Sequence, residues 1–167
     1  MRRFIISLIF TCAIVSAISA APSFSVNVGG DFFNYERAFL DMGASCSIPI
    51  KSGMEFHMAA NFGISTRTVD STIEALFYIP FDFGLNFIFN EESKLNFLVG
   101  TGLTPQILSM NEVSFYMGPY LKGGIRVKVH EYMKWFLEVQ QDLLVGAPKW
   151  INTTTSIRTG ILFSLGS

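Results

Sequence analysis

Charge and cysteine are both scarce in this sequence. Only 15% of its 167 residues are Asp, Glu, Lys or Arg, where a soluble domain carries about a quarter. The formal balance is −1, so no basic excess exists to displace counterions from phosphates, which argues against nucleic-acid binding. The two cysteines are Cys12 and Cys46. His57 and His130 stand apart, no Cys/His spacing matches a metal centre, and no glycine-rich loop leads into a helix to cradle a phosphate. No cofactor is expected. After residue 21 no stretch keeps a 3.6-residue apolar period. What is abundant is apolar: 50% hydrophobic residues, 17 Phe and 14 Gly, with mean hydropathy +0.40. That composition excludes disorder, and the length fits one domain.

The first twenty residues read as an address. Arg2 and Arg3 precede an apolar run from Phe4 to Val15, and small residues close it at Ser16, Ala17, Ser19, Ala20 and Ala21. This is the layout of a secretory signal peptide over 1–20, with cleavage expected after Ala20 and the positions after Ala17 or Ser19 as alternatives. The run falls short of the ~20 residues a spanning helix needs. The exported chain, 21–167, then carries ten basic and thirteen acidic residues and keeps one cysteine, Cys46. It has no internal disulfide to staple it.

The rest alternates with a period of two. Leu40, Met42, Ala44, Cys46, Ile48 and Ile50 share one face. So do Met54, Phe56, Met58, Ala60, Phe62 and Ile64, and then every odd position from Ile73 to Phe89. The opposite faces carry Gly, Ser, Asn and charged residues. Strands are expected near 23–33, 40–50, 54–64, 73–89, 94–104, 114–129, 134–144 and 155–165. Lys51–Gly53, Asn90–Ser93 and His130–Met133 read as tight turns, and 65–72, 104–114 and 145–155 as longer loops. Asn34–Ala38 is a short connection on the long-loop side.

Alternation alone does not say which face points inward. Volume does: an eight-stranded barrel interior is just wide enough to be filled by side chains, and the Phe-rich face is too bulky for it. The small and polar face, with Gly29, Gly43, Gly63, Gly84, Gly100, Gly118 and Gly124, fits inside. The segments have about the 9–11 residues of a tilted membrane strand, and a strand protein spans hydrocarbon only as a closed barrel. Phe32, Phe33, Tyr35 and Phe39 at one end, and Phe89, Tyr132 and Trp135 at the other, are candidates for interfacial girdles. The expected fold is all-β: a single eight-stranded antiparallel up-and-down transmembrane β-barrel.

In strand count, alternation, connection lengths and export signal, the chain resembles the small eight-stranded bacterial outer-membrane barrels of the OmpA/OmpX type. The resemblance implies an outer-membrane location, turns facing the periplasm, longer loops outside, and lipid as the surroundings of a monomer. It also implies a last strand with a terminal aromatic, whereas Gly166 and Ser167 follow Leu165 here.

Charged residues on the inward face predict an ionic lumen. Pairing 130 with 134 would set Lys122 against Asp142 and Arg126 against Glu138. Arg158 and Asp82, with Glu55 or Glu74, are candidates to join them, because buried charges persist only when paired. Tyr78, Tyr116 and Tyr120 also point inward, which favours a plug over a pore. Across Lys51–Gly53, Ser47 faces His57, with Glu55 two residues away. That is the minimum for acyl transfer, but the pair lies inside the lumen, and no catalytic residue is assigned. Asn152-Thr153-Thr154 matches a glycosylation triplet, a pattern short enough to arise by chance. The loops offer apolar tips at Ile107, Leu108 and Met110 and at Lys149 and Trp150, candidates for contact with host or envelope proteins. A narrow pore and a soluble exported ligand-binding barrel are the alternatives.

Overall fold

The computed structural model describes residues 21–69, 72–109, 113–147 and 149–164. The expected signal segment and Met110 lie outside the described residues. The chain forms β1 (Ser23–Phe33), β2 (Arg37–Lys51), β3 (Met54–Val69), β4 (Thr72–Phe89), β5 (Leu95–Ser109), β6 (Val113–His130), β7 (Met133–Val145) and β8 (Ile151–Ser164). Each pairs antiparallel with its neighbours in sequence, and β8 pairs with β1 to close the barrel. Closure satisfies every strand edge.

Following the eight registers once round the wall gives a net stagger of ten residues. With eight strands this sets a tilt of about 40°. On β4 the outward Phe77 and Phe87 are ten residues apart. At that tilt they lie about 25 Å apart along the axis, the height of the apolar band of a membrane barrel. Outward aromatics gather at both levels. Phe24, Phe56, Phe87, Phe97, Trp135 and Phe163 ring the end that holds the short turns, with Phe24 directly opposite Phe163. Phe32, Tyr35, Phe77 and Phe115 mark the other end. Phe33 and Phe39 do not belong to this girdle: they are 5% and 2% exposed and point into the lumen.

The connections expected to be long are mostly strand. β3 runs to Val69 and β4 starts at Thr72; β5 runs to Ser109 and β6 starts at Val113; β8 starts at Ile151. Thr, Ser and Asn there read as loop residues, yet β-branched Thr suits a pleated surface. Arg67 and Glu74 also bridge the β3–β4 hairpin at 2.6 Å. Between β1 and β2, Asn34 and Tyr35 both have positive φ (51° and 56°), and Glu36 N–H donates to the Phe33 carbonyl at 3.1 Å. This is the type I′ turn that matches strand twist.

The β6–β7 register differs from the expected one by two residues. A bulge between Lys128 and His130 and a two-residue turn place Lys122 opposite Gln140 and Gly124 opposite Glu138. A shift of two keeps every side chain on its own face, so the lumen keeps its charges and changes their pairing. Bridging pairs also skip residues 61–62 against 79–80, 81–82 against 104–105, and 118–119 against 143–144. Pro80, Pro105 and Pro119 sit in these gaps, and proline has no N–H for the ladder.

Candidate functional site

The lumen is layered. At the loop end Phe33, Phe39, Leu76, Tyr78, Leu108, Tyr116 and Leu144 form a buried apolar cap. Phe39 and Tyr78 have ring centroids 5.3 Å apart, and Phe33 and Tyr116 5.4 Å. These positions close the inward faces of six strands where the ladders approach the loops, so the cap covers the polar lumen on that side.

Beneath it, Arg158 on β8 reaches three carboxylates from three other strands. Its Nη2 lies 3.1 Å from Asp31, its Nε 2.5 Å from Asp41 and its Nη1 3.2 Å from Asp82. Gln140 Nε2 links Asp82 (3.2 Å) to Asp142 (2.9 Å), and Gln106 Nε2 donates to Asp142 at 2.7 Å. The planar guanidinium presents five donors in a rigid fork, which suits several acceptors at once. Gly29 leaves the room this requires: a methyl group there would collide with the Arg158 side chain and the Ile157 carbonyl.

Toward the turn end, Arg126 grips Glu55 with two hydrogen bonds, at 2.6 and 3.1 Å. Glu138 is shared between Lys122 at 3.3 Å and Arg126 at 3.9 Å. Asn86 donates to Glu55 at 2.8 Å. The cavity bordered by Asn27, His57, Asn61, Asp82, Lys122 and Arg158 measures about 20 Å³, room for a single water.

The residues singled out from sequence are therefore placed as follows. Lys122, Arg126 and Glu138 share one cluster; Arg158 and Asp82 share another. Asp142 does not meet Lys122: it lies opposite Tyr120 and is held by the two glutamine amides. Asp31 and Asp41 escaped the sequence reading. Both stand on the polar face, but their convergence on Arg158 depends on β8 closing against β1, which local spacing does not encode. Glu74 belongs to the hairpin pair with Arg67. Leu108 is not a surface residue; it is 0% exposed within the cap, because β5 continues past it and its parity points inward. Ile107 is half-buried on the outward face. Lys149 and Trp150 are exposed in the β7–β8 connection, Trp150 at 74%.

Ser47 Oγ and His57 Nδ1 are 3.1 Å apart and both residues are buried in the lumen. Glu55 is bound to Arg126 and Asn86, so it does not orient the imidazole. Asn152 of the glycosylation triplet is 2% exposed and its side chain bonds Asn34 and the Lys149 carbonyl. Among the described residues no group of three or more His, Cys, Asp or Glu is arranged to hold a metal ion.

No protein-family model matches the sequence, and no curated protein matches it in sequence. Its likeness lies in solved structures. The chain is similar to Neisserial surface protein A, with a TM-score of 0.68 and 7% identity over 86% of this chain and 96% of that one. It is similar to the outer membrane protein OprG of Pseudomonas aeruginosa, with a TM-score of 0.58 and 9% identity over 89% and 98%. The attachment invasion locus protein Ail of Yersinia pestis, solved with the heparin analogue sucrose octasulfate, gives a TM-score of 0.55 and 11% identity over 87% and 100%. At such identities the likeness is one of fold, and the fold is the closed eight-stranded barrel of small outer-membrane proteins.

Proposed function

We propose that the chain is an integral outer-membrane barrel with a closed lumen, a rigid anchor that presents its loop end to the surroundings of the cell. The observation that carries this is the division of the wall. The outward face is apolar between two aromatic levels about 25 Å apart, while the charged residues of the band face inward and find partners. A soluble barrel has the opposite sense, because the hydrophobic effect drives its apolar face inside. The cap and the two ionic layers occupy successive levels of the described lumen, which supports an anchor over a pore.

The working surface is then the loop end, where Trp150 and Lys149 project from the β7–β8 connection and Tyr35 from the β1–β2 turn. That Ail is known with a heparin analogue supports reading a barrel of this size as a contact platform. The partners would be host or envelope molecules, and the barrel a monomer in lipid. The test is gel mobility of detergent-extracted protein, unboiled against boiled, after an alkaline carbonate wash of the envelope. Retention with faster migration when unboiled is the expected result. Release into the wash without a mobility shift would make the chain a soluble exported barrel. For the loop role, Trp150→Ala should weaken surface binding without changing the mobility shift.

A further inference from the structure

One polar cluster lies on the lipid-facing side of the wall. Gln141 on β7 is outward and exposed among Leu121, Val139, Leu143 and Ile157. Among the described residues it is the only amide on the outward face of the apolar band. Its direct partner is Thr155 on β8, whose own partner on β1 is Phe32. In a wall tilted by about 40°, each step from β1 back to β8 and β7 descends about 3 Å, which sets Gln141 about 6 Å deeper than Phe32. Phe32 belongs to the loop-end aromatic level, so this amide lies at hydrocarbon depth.

The cluster closes only half of its hydrogen bonds. Thr155 Oγ1 donates to Gln141 Oε1 at 2.6 Å, and the Tyr35 hydroxyl donates to the same oxygen at 3.2 Å. Both acceptor sites of that oxygen are therefore filled. Gln141 Nε2 has two N–H donors, and among the described residues its one partner is the Asp142 carbonyl, at 3.3 Å. The outward hydroxyls of Thr101 and Thr159, by contrast, turn back onto the Tyr120 and Phe136 carbonyls at 3.0 and 2.8 Å. A donor left open to hydrocarbon is costly, so the cluster calls for an acceptor from outside the chain. Amide pairing with a second copy does not supply one, because Oε1 is already saturated. Gly30, outward on β1 and diagonal to Thr155, leaves the wall recessed beside the cluster: a methyl group there would have no neighbour nearer than 3.7 Å.

Resting on the membrane reading of the wall, we propose that Gln141, Thr155 and Tyr35 form a subsite for a lipid whose acyl chain carries a hydroxyl group near its headgroup. The acyl hydroxyl accepts the open Gln141 N–H. The chain beyond it runs down the recess at Gly30, along Val28 and Ile157. An ordinary acyl chain offers only methylene groups at this depth and leaves the donor unfilled, and a site built around a hydroxyl discriminates against the analogue that lacks it.

The experiment refolds the signal-free chain into phosphatidylcholine vesicles that contain phosphatidylglycerol with either β-hydroxymyristoyl or plain myristoyl chains. Native mass spectrometry then counts the lipids retained. The expected result is retention of the hydroxylated lipid over its plain counterpart by roughly tenfold. Q141L/T155V should lose that preference while keeping the unboiled mobility shift, and Gly30→Leu should weaken it by filling the recess. Equal retention of the two lipids by the wild type would overturn the subsite. So would a preference that survives in Q141L/T155V. Paired chains that separate in Q141L/T155V would mark an interface between copies instead, and would overturn it as well. Failure to insert into any vesicle would overturn the membrane reading, and the subsite with it.

Discussion

Glu55 on β3 and Arg126 on β6 face each other across the lumen and are joined through both carboxylate oxygens, at 2.6 and 3.1 Å. The pair ties strands that share no ladder. Removing one partner strands the other charge in a buried site, so Arg126→Met should cost about 3–5 kcal/mol in urea unfolding of the refolded barrel. Adding Glu55→Gln should recover most of that loss. An additive pair would show that the two side chains do not act as a unit.

Arg158 serves three carboxylates at once, and a lysine ammonium cannot reproduce the fork. Arg158→Lys should therefore cost about 1.5–3 kcal/mol, the worth of one hydrogen bond to a charged group. Gly29→Ala should also destabilise, by crowding the same guanidinium stem. Chemical denaturation measures both, and a neutral Arg158→Lys would show that charge alone suffices.

The apolar cap and the ionic layers are separate seals in series. Tyr116→Ala should lower stability by about 3–5 kcal/mol through the cavity it opens, and single-channel recordings should stay silent because the ion pairs beneath still fill the lumen. Steady conductance in that variant alone would assign the closure to the cap.

The β6–β7 register predicts which cysteines meet. In a Cys46→Ser background, Leu121→Cys with Gln141→Cys should oxidise readily, since these residues are direct partners. Leu121→Cys with Leu143→Cys, two residues out of register, should not. Thiol titration after mild oxidation distinguishes the two.

Pro80, Pro105 and Pro119 coincide with missing rungs in three seams. Amides flanking these gaps should exchange with deuterium faster than those of the same strands at the turn end. Uniform protection along β4 and β6 would contradict this.

The strands, their number and the sense of their faces were legible in the sequence, because alternation is a local property and lumen volume admits one answer. The turns at Lys51–Gly53 and Asn90–Ser93 were legible for the same reason. The hairpin extensions were not, since Thr66, Asn152 and their neighbours carry both loop and strand character until the partner strand is present. The pairing of Lys122 with Glu138 turned on a bulge at Lys128–His130. A bulge changes register by backbone geometry that no side-chain pattern announces.

Sequence by itself determined that inward positions would be small or polar and that outward ones would be apolar. Each residue's parity along its strand fixes its face whatever the register. Tertiary structure alone decided which charges meet. Arg158 finds Asp31, Asp41 and Asp82 only because the closing seam, with its net stagger of ten, brings residues more than seventy positions apart to one level. It also decided that Phe33, Phe39 and Leu108 seal the loop end from within, since curvature and stagger converge there on a space that apolar side chains fill.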